Sequence, residues 1–451
     1  MVALLSWTRR ALERAHLVDV GAALHRELGL DAQGLRALRL PVDLLETFPR
    51  WRQGSRVGFS PRPLGLTLVP AAAGRPLGNV RLQISTAWGG TSITVSLLRD
   101  LTRGLDRSVR VVVLLDPDSD GAGVRRLVRE CLGRERSIRI FSVGFGTIFA
   151  RDNALAARDR RGRPVLLVPR ALRTSGESSA SPLDARAAQR LLAVRVVRSR
   201  LFWHGGNILF DGECLAVGAD TISENVTRLG LTATEVLAIL TAELGGEVVV
   251  LGATGSARFD HDRNRMAPSG QASYHIDLDV ALLGRTGRDG RPTTLVADPR
   301  RGLEQLGAVL AHRRLTLSPY LPPSRAREQI AREYRAAARE RTSMLQAYRE
   351  RLADCGYRVV GVPELRTRDE RDTLLSLASV DLVYCNVLPG MNRGRPAVHY
   401  LPWGIPALDA AAERCFRAAG VLPVRLARTP HLANAMIQRA AGLRCFCGAM
   451  P

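Results

Sequence analysis

Residues 149–169 read FARDNALAARDRRGRPVLLVP. A polar signature built on Arg151 and Asp152 runs into a Gly-containing turn and then an apolar stretch, PVLLVP. Apolar, β-branched runs bounded by turn residues are strand signals. Similar runs occur at 110–115 (RVVVLL), 137–143 (SIRIFSV), 247–252 (EVVVLG), 293–298 (TTLVAD), 358–363 (RVVGVP) and 422–426 (LPVRL). Between them lie segments with helical apolar spacing, among them GVRRLVRECLG, LDARAAQRLLAV, ATEVLAILTAEL and ALDAAAERCFRAAG. Strands alternating with amphipathic helices predict an α/β fold.

A weaker repeat lies over this rhythm. Five times a β-like run is followed, after a variable gap, by a short polar signature. The five are FARDNALAARD (149–159), WHGGNILFDG (203–212), YHIDLDVALLG (274–284), VYCNVLPG (383–390) and GLRCFCG (442–448). Their spacing is roughly 55 to 70 residues, except across the third gap, and such periods predict units stacked about an axis. That gap holds a charged segment with an apolar stripe, read as a long surface-packed helix inserted at about 322–356. Stacking would bring Asp152, Asn207, His275, Asp277, Asn386 and Cys445 to one centre, with the final segment closing the arrangement. Residues 1–78 read as an extension of unassigned role, with a helical pattern (Leu4, Leu5, Leu12, Leu17) leading into a Pro- and Arg-rich stretch. Residues 79–451 read as the catalytic domain.

Bulk composition narrows the possibilities. The 451 residues are 46% apolar, enough for a large core. The longest charge-free run, 82–98, is diluted by Gln83, Ser85, Thr86, Gly89 and Gly90, which argues against a membrane span. Arg9, Arg10, Glu13 and Arg14 interrupt the first apolar stretch, unlike a secretory leader. Seven cysteines with no C-x-x-C pair and no Cys/His ligand spacing predict free thiols and a cytoplasmic, reducing location. The net charge is +22 and every basic side chain other than histidine is arginine. The arginines are scattered, with no basic tail and no aromatic interleaving, so nucleic acid is not the expected partner. DPDSDGAG (116–123) resembles a calcium loop, but Leu127 stands at its twelfth position where a bidentate Glu is needed. It reads as a turn before a helix.

The polar set itself suggests a chemistry. A cysteine thiolate is a strong nucleophile and histidine moves protons near neutrality. Two carboxylates beside a thiolate would raise its pKa unless a cation lay between them. A guanidinium is such a cation, planar and with a fork of donors that fits paired carboxylates. His275 and Asp277, two residues apart, would share one strand face. Cys447 competes with Cys445 as the nucleophile, and would share its face were that segment a strand.

The order FARDN, HGGNILFDG, HIDLD, YCNVL and GLRCF resembles the guanidine-modifying enzyme superfamily, most closely its agmatine deiminase and bacterial peptidylarginine deiminase branch. The resemblance covers about residues 80–451. It implies a five-bladed, pseudo-fivefold α/β propeller, the pentein fold, and hydrolysis of an arginine-type side chain or agmatine to a ureido product and ammonia. It further implies Cys445 as nucleophile, His275 as general acid and base, and Asp152 and Asp277 gripping the guanidinium. Asn386 and Asn207 would line or buttress the site, with Arg151 and Phe149 beside the substrate, and no metal or organic cofactor is expected. Relatives carry Gly-Pro where this chain has Ala154-Leu155, Trp at the position of Phe149 and His at the position of Arg444. These departures bear on the substrate. An amidinotransferase on the same scaffold and a non-catalytic arginine-rich binding protein are the rival readings.

Overall fold

The computed structural model describes residues 61–85, 99, 104–132, 137–145, 149–170, 183–253, 259–260, 265–266, 271–287, 289–311, 323–366, 381–426 and 443–450. The helical pattern expected within residues 1–60 lies outside them. The fold is mixed α/β, and its strands gather into five sheets of three or four strands plus one two-stranded ribbon, Phe259–Asp260 with Arg265–Met266.

The five sheets share one plan: an antiparallel pair followed by a parallel strand, which in the second to fifth sheets is reached through helix. In the second sheet Leu155–Asp159 pairs antiparallel with Pro164–Val168, which pairs parallel with Arg195–Arg198. The third has Ile208–Phe210, Leu215–Gly218 and Val248–Leu251 in the same relation. The fourth has Val280–Arg285, Pro292–Asp298 and Arg358–Pro363, and the fifth Leu388–Asn392, Arg395–Tyr400 and Leu422–Arg425. In the first sheet the antiparallel pair is made of distant segments, Gly448–Met450 against Asn79–Ile84. Arg110–Leu115 and Ile138–Ser142 then continue it in parallel. The strand runs expected from the sequence fall within a residue or so of these elements.

Each polar signature runs into the first strand of an antiparallel pair. Asp152 precedes the strand at Leu155, Asn207 the strand at Ile208, Asp277 the strand at Val280, Asn386 the strand at Leu388 and Cys445 the strand at Gly448. Equivalent turns therefore carry the chemistry-bearing residues.

The described end of the segment read as an extension is woven into this body. Leu66–Leu68 adds a strand to the second sheet. Beyond it, Val69 N–H donates to Ala156 O, Ala71 to Phe210 O, Ala73 to Leu283 O and Gly74 to Gly390 O before the chain enters the first sheet at Asn79. This short strap thus touches all five sheets. Its passage needs glycine at position 390, where a Cβ would stand 2.6 Å from Cγ of Leu77.

The helices follow their local signals. Ala233–Leu244 opens on a capping box between Thr232 and Glu235 and ends at Gly245 in the left-handed region. The calcium-loop lookalike is a short 3₁₀ turn, Pro117–Ser119, before the helix Ala122–Leu132, and Asp120 pairs with Arg125. The inserted helix, Pro323–Asp354, buries Ile330, Tyr334, Ala337, Arg341, Leu345, Tyr348 and Leu352 at helical spacing. An arginine in that stripe departs from the expected apolar face.

Candidate active site

The turn holding Asp152 is set by long-range contacts. Arg151 N–H donates to the carbonyl of Cys445 at 3.2 Å, and Gly205 N–H to the carbonyl of Asp152 at 3.3 Å. Arg81, fully buried on the strand Asn79–Ile84, donates to Ala150 O and to Asn153 Oδ1 at 3.1 Å. Asn153 in turn exchanges hydrogen bonds with Gln83. Burial lowers the Arg81 guanidinium to a pKa of about 10, so it remains a cation at neutral pH. Arg151 extends to the carbonyl of Ile208 and is lowered to about 9, by burial first and by Arg444. Phe149 packs edge-on against Phe446, ring centres 5.2 Å apart.

The two glycines after His204 permit close approach. A Cβ on Gly205 would lie 1.9 Å from the carbonyl oxygen of Arg151, and one on Gly206 2.5 Å from Nδ1 of His275. Asn207 then fixes the loop bearing His275. Its Oδ1 accepts from Ile276 N–H and from Gln271 Nε2, both at 3.0 Å, and its Nδ2 donates to Tyr274 O at 3.2 Å. Asp211, in the Asp-Gly turn, joins two sheets by accepting from Gly284 N–H and Tyr357 Oη.

His275 and Asp277 do not share a strand face, contrary to the expectation from their spacing. His275 caps a 3₁₀ turn, Ile276–Leu278, closed by Leu278 N–H to His275 O and Asp279 N–H to Ile276 O. The tight turn still keeps both side chains in the buried cluster. Nδ1 of His275 lies 3.8 Å from Oδ1 of Asp152, and its ring stands 5.3 Å from His204 and 4.4 Å from Tyr274. Burial, with the charges of His204 and Arg151, holds His275 well below its usual pKa, so it is neutral at pH 7.

Asp279 is completely buried. It accepts from Ser273 Oγ at 2.5 Å and from Arg341 of the long helix at 2.7 Å. Arg341 also grips Glu364, and Tyr348 Oη accepts from Ala272 N–H. The inserted helix therefore holds residues 271–279 from outside.

Neither Asn386 nor Cys445 sits in a strand. Asn386 lies in the approach to the strand Leu388–Asn392, and Cys445 in the helical turn Leu443–Phe446. Asn386 Oδ1 accepts from Arg444 N–H at 2.7 Å and Cys445 N–H at 3.3 Å. Its Nδ2 donates to Asp277 O at 3.3 Å and lies 3.4 Å from Sγ of Cys445. Cys445 is 5% exposed, packed with Val80, Leu82 and Leu443. Cys447 shares that core, and burial raises its thiol to about 12.

The electrostatics are poised for a guest. Burial and then the charge of Asp277 push Asp152 well above the carboxylate range, against Gly206 N–H and Arg151. Burial, helped by Asp279 and opposed by Arg444 and Arg151, lifts Asp277 to about 6. Asn386 is near enough to lower Asp277, yet neither Asp277 oxygen has a hydrogen-bond partner among the described residues; the Asn386 amide is committed to the Asp277 carbonyl and Sγ. Oδ1 of Asp152 and Nε2 of His275 are also unpartnered. Buried acceptors without donors are uncommon, and those of Asp152, His275 and Asp277 fall together in this cluster.

Arg81, Gln271 and Arg341 were not singled out as site residues by the sequence, while His204, beside the double glycine, stood evenly between a site role and a structural one. Arg81 and Arg341 left a trace, each a charge at an otherwise apolar position of its element.

No protein-family model matches the chain, and no curated protein matches it in sequence. Solved structures do. One, provisionally described as a peptidyl-arginine deiminase, aligns over 85% of this chain and 98% of its own with a TM-score of 0.53 at 13% identity. Another, provisionally described as an agmatine deiminase, aligns over 86% and 96% with a TM-score of 0.53 at 12% identity. The chain shares their fold.

Proposed function

We propose that this chain is a deiminase that hydrolyses a guanidinium group, of agmatine or of an arginine-type side chain, to a ureido group and ammonia. The observation that carries the reading is the pair of buried carboxylates, Asp152 and Asp277, with unpartnered oxygens beside Cys445 and His275. A cation bridging two such acids lowers their cost of ionisation, and a planar guanidinium offers each a pair of N–H donors. The fold shared with two structures provisionally described as deiminases supports the same reading.

In this mechanism the bound cation favours the Cys445 thiolate, and His275, neutral in the empty site, takes the thiol proton. Sγ attacks the central carbon to form a C–S bond and a tetrahedral adduct. His275 returns the proton to an amino group, the C–N bond breaks, and ammonia leaves. Water then attacks the thiouronium carbon as His275 accepts its proton. Collapse of the second adduct breaks the C–S bond, freeing the ureido product and Cys445. Asn386 holds the sulfur and the Asp277 backbone in register, and Asn207 does the same for the His275 loop. Phe149 and Arg151 border the cavity that takes the substrate.

The five sheets, with their common plan, are on this reading the blades of a five-bladed α/β propeller. Residues 79–451 form the catalytic domain, with the strap at 66–78 binding it and the earlier residues as an extension. Among the described residues no helix is long and apolar enough to cross a membrane, and seven free cysteines suit a reducing cytoplasm.

A colorimetric ureido assay with agmatine, free arginine and an arginine-containing peptide tests the proposal, run beside Cys445→Ala. Product from at least one substrate, abolished in the variant, is expected. Silence on all three would remove the hydrolase reading, and an active Cys445→Ala would remove this nucleophile.

A further inference from the structure

We propose that Asp152, His204 and His275 form a binding site for a divalent transition-metal ion, Zn²⁺ being the best fit, and that the metal excludes a guanidinium from the same carboxylate. One ligand atom from each of the three residues falls within 4.8 Å of the other two. The edge from His275 Nδ1 to Asp152 Oδ1 measures 3.8 Å. A tetrahedral ion with bonds of about 2.0–2.2 Å needs donor separations of roughly 3.3–3.5 Å, so modest side-chain rotation closes the triangle.

The donor set selects the ion. Two imidazoles and one carboxylate suit Zn²⁺, Co²⁺ or Ni²⁺, whereas Mg²⁺ and Ca²⁺ require a shell of oxygens. An independent observation points the same way: Oδ1 of Asp152, on a side chain 3% exposed, has no hydrogen-bond partner among the described residues. Tyr274, 44% exposed, covers both imidazoles, with ring centres 5.5 Å from His204 and 4.4 Å from His275, and marks the way in. Arg151 carries a nearby opposing charge, but its guanidinium is tied to the carbonyl of Ile208.

None of this requires turnover, so binding is read directly. Co²⁺ is added to the full chain with Cys355→Ser, because Cys355 is an exposed thiol that would bind metal adventitiously. The visible ligand-field bands of a four- or five-coordinate cobalt site are expected, saturating at one equivalent and bleached by Zn²⁺. His204→Ala is expected to weaken binding at least about tenfold; if it misfolds by circular dichroism, His204→Gln replaces it. Cys445→Ala is expected to bind cobalt unchanged, and agmatine to displace the metal from that inactive variant. Absent bands, bands that survive loss of His204, or bands lost in Cys445→Ala would each overturn the metal site, and bands insensitive to agmatine in a protein whose ureido assay is positive for agmatine would overturn the exclusion of the guanidinium. The cobalt signal and the ureido assay are separate readouts, so either reading can fail alone.

Discussion

The side chain of Asn386 clasps Cys445 from both ends: its oxygen takes the Cys445 N–H at 3.3 Å while its nitrogen stands 3.4 Å from the sulfur. Because the same nitrogen reaches the Asp277 carbonyl, one amide couples the thiol to an acid that lies far away in sequence. Replacing Asn386 with Ala should therefore damage catalysis more than folding. We expect kcat to fall about 100-fold or more, with a stability loss of about 1–3 kcal/mol from the orphaned N–H groups. Steady-state kinetics and urea unfolding of the same preparation separate the two.

Asp277 couples activity to stability through its pKa. A carboxyl raised from 3.8 to about 6 binds its proton more tightly folded than unfolded. That contribution to stability is therefore present below about pH 4 and is lost as pH rises through 6. At pH 7 the buried charge costs about 3 kcal/mol in the ligand-free protein. Asp277→Asn should then be inactive yet more stable at pH 7, by about 1–3 kcal/mol, with the difference vanishing near pH 4. Equilibrium unfolding at the two pH values checks this. In wild type, kcat/KM should fall below pH 6 as Asp277 is protonated.

Cys447→Ser should keep most of the activity, because that thiol is buried and held near 12. Cys445→Ser should lose at least about 1,000-fold, since a hydroxyl at this position lacks a base strong enough to ionise it. Comparing the two variants in one ureido assay decides between the neighbouring cysteines.

Gly206→Ala should cost about 100-fold in kcat by driving His275 out of place, since the added methyl would stand 2.5 Å from its Nδ1. Gly205→Ala meets a backbone oxygen, which cannot rotate away, and should destabilise the protein instead. A thermal shift with little activity loss in the first, or the reverse in the second, would contradict this division.

Arg341→Leu should destabilise by about 3–5 kcal/mol, because it leaves Asp279 and Glu364 buried without their shared cation. Activity should fall along with stability as residues 271–279 lose their outer support. Urea midpoints with kinetics measured well below the transition will show both effects.

The order of strands and polar signatures was legible because apolar runs and turn residues are local features. The conformation of the signatures was not. The spacing of His275 and Asp277 mimics strand alternation, and only the hydrogen bonds closing the turn at Leu278 and Asp279 reveal otherwise. Asn207 could be named, but not its partners, because Tyr274 and Ile276 belong to another signature and Gln271 lies just before it. Arg81 and Arg341 stood out only as charges at otherwise apolar positions in a chain of 65 arginines; burial against distant acceptors, invisible in sequence, gives them their roles.

The strap from Val69 to Gly74 limits how this molecule can move. A backbone segment bonded in turn to four sheets, and running straight into the fifth, opposes the sliding or hinging of any sheet past its neighbour. Breathing of the scaffold would require breaking several main-chain bonds together. Among the described residues, a side-chain swing of the exposed Tyr274 can open the way to His204 and His275 while the strapped sheets behind it keep their places.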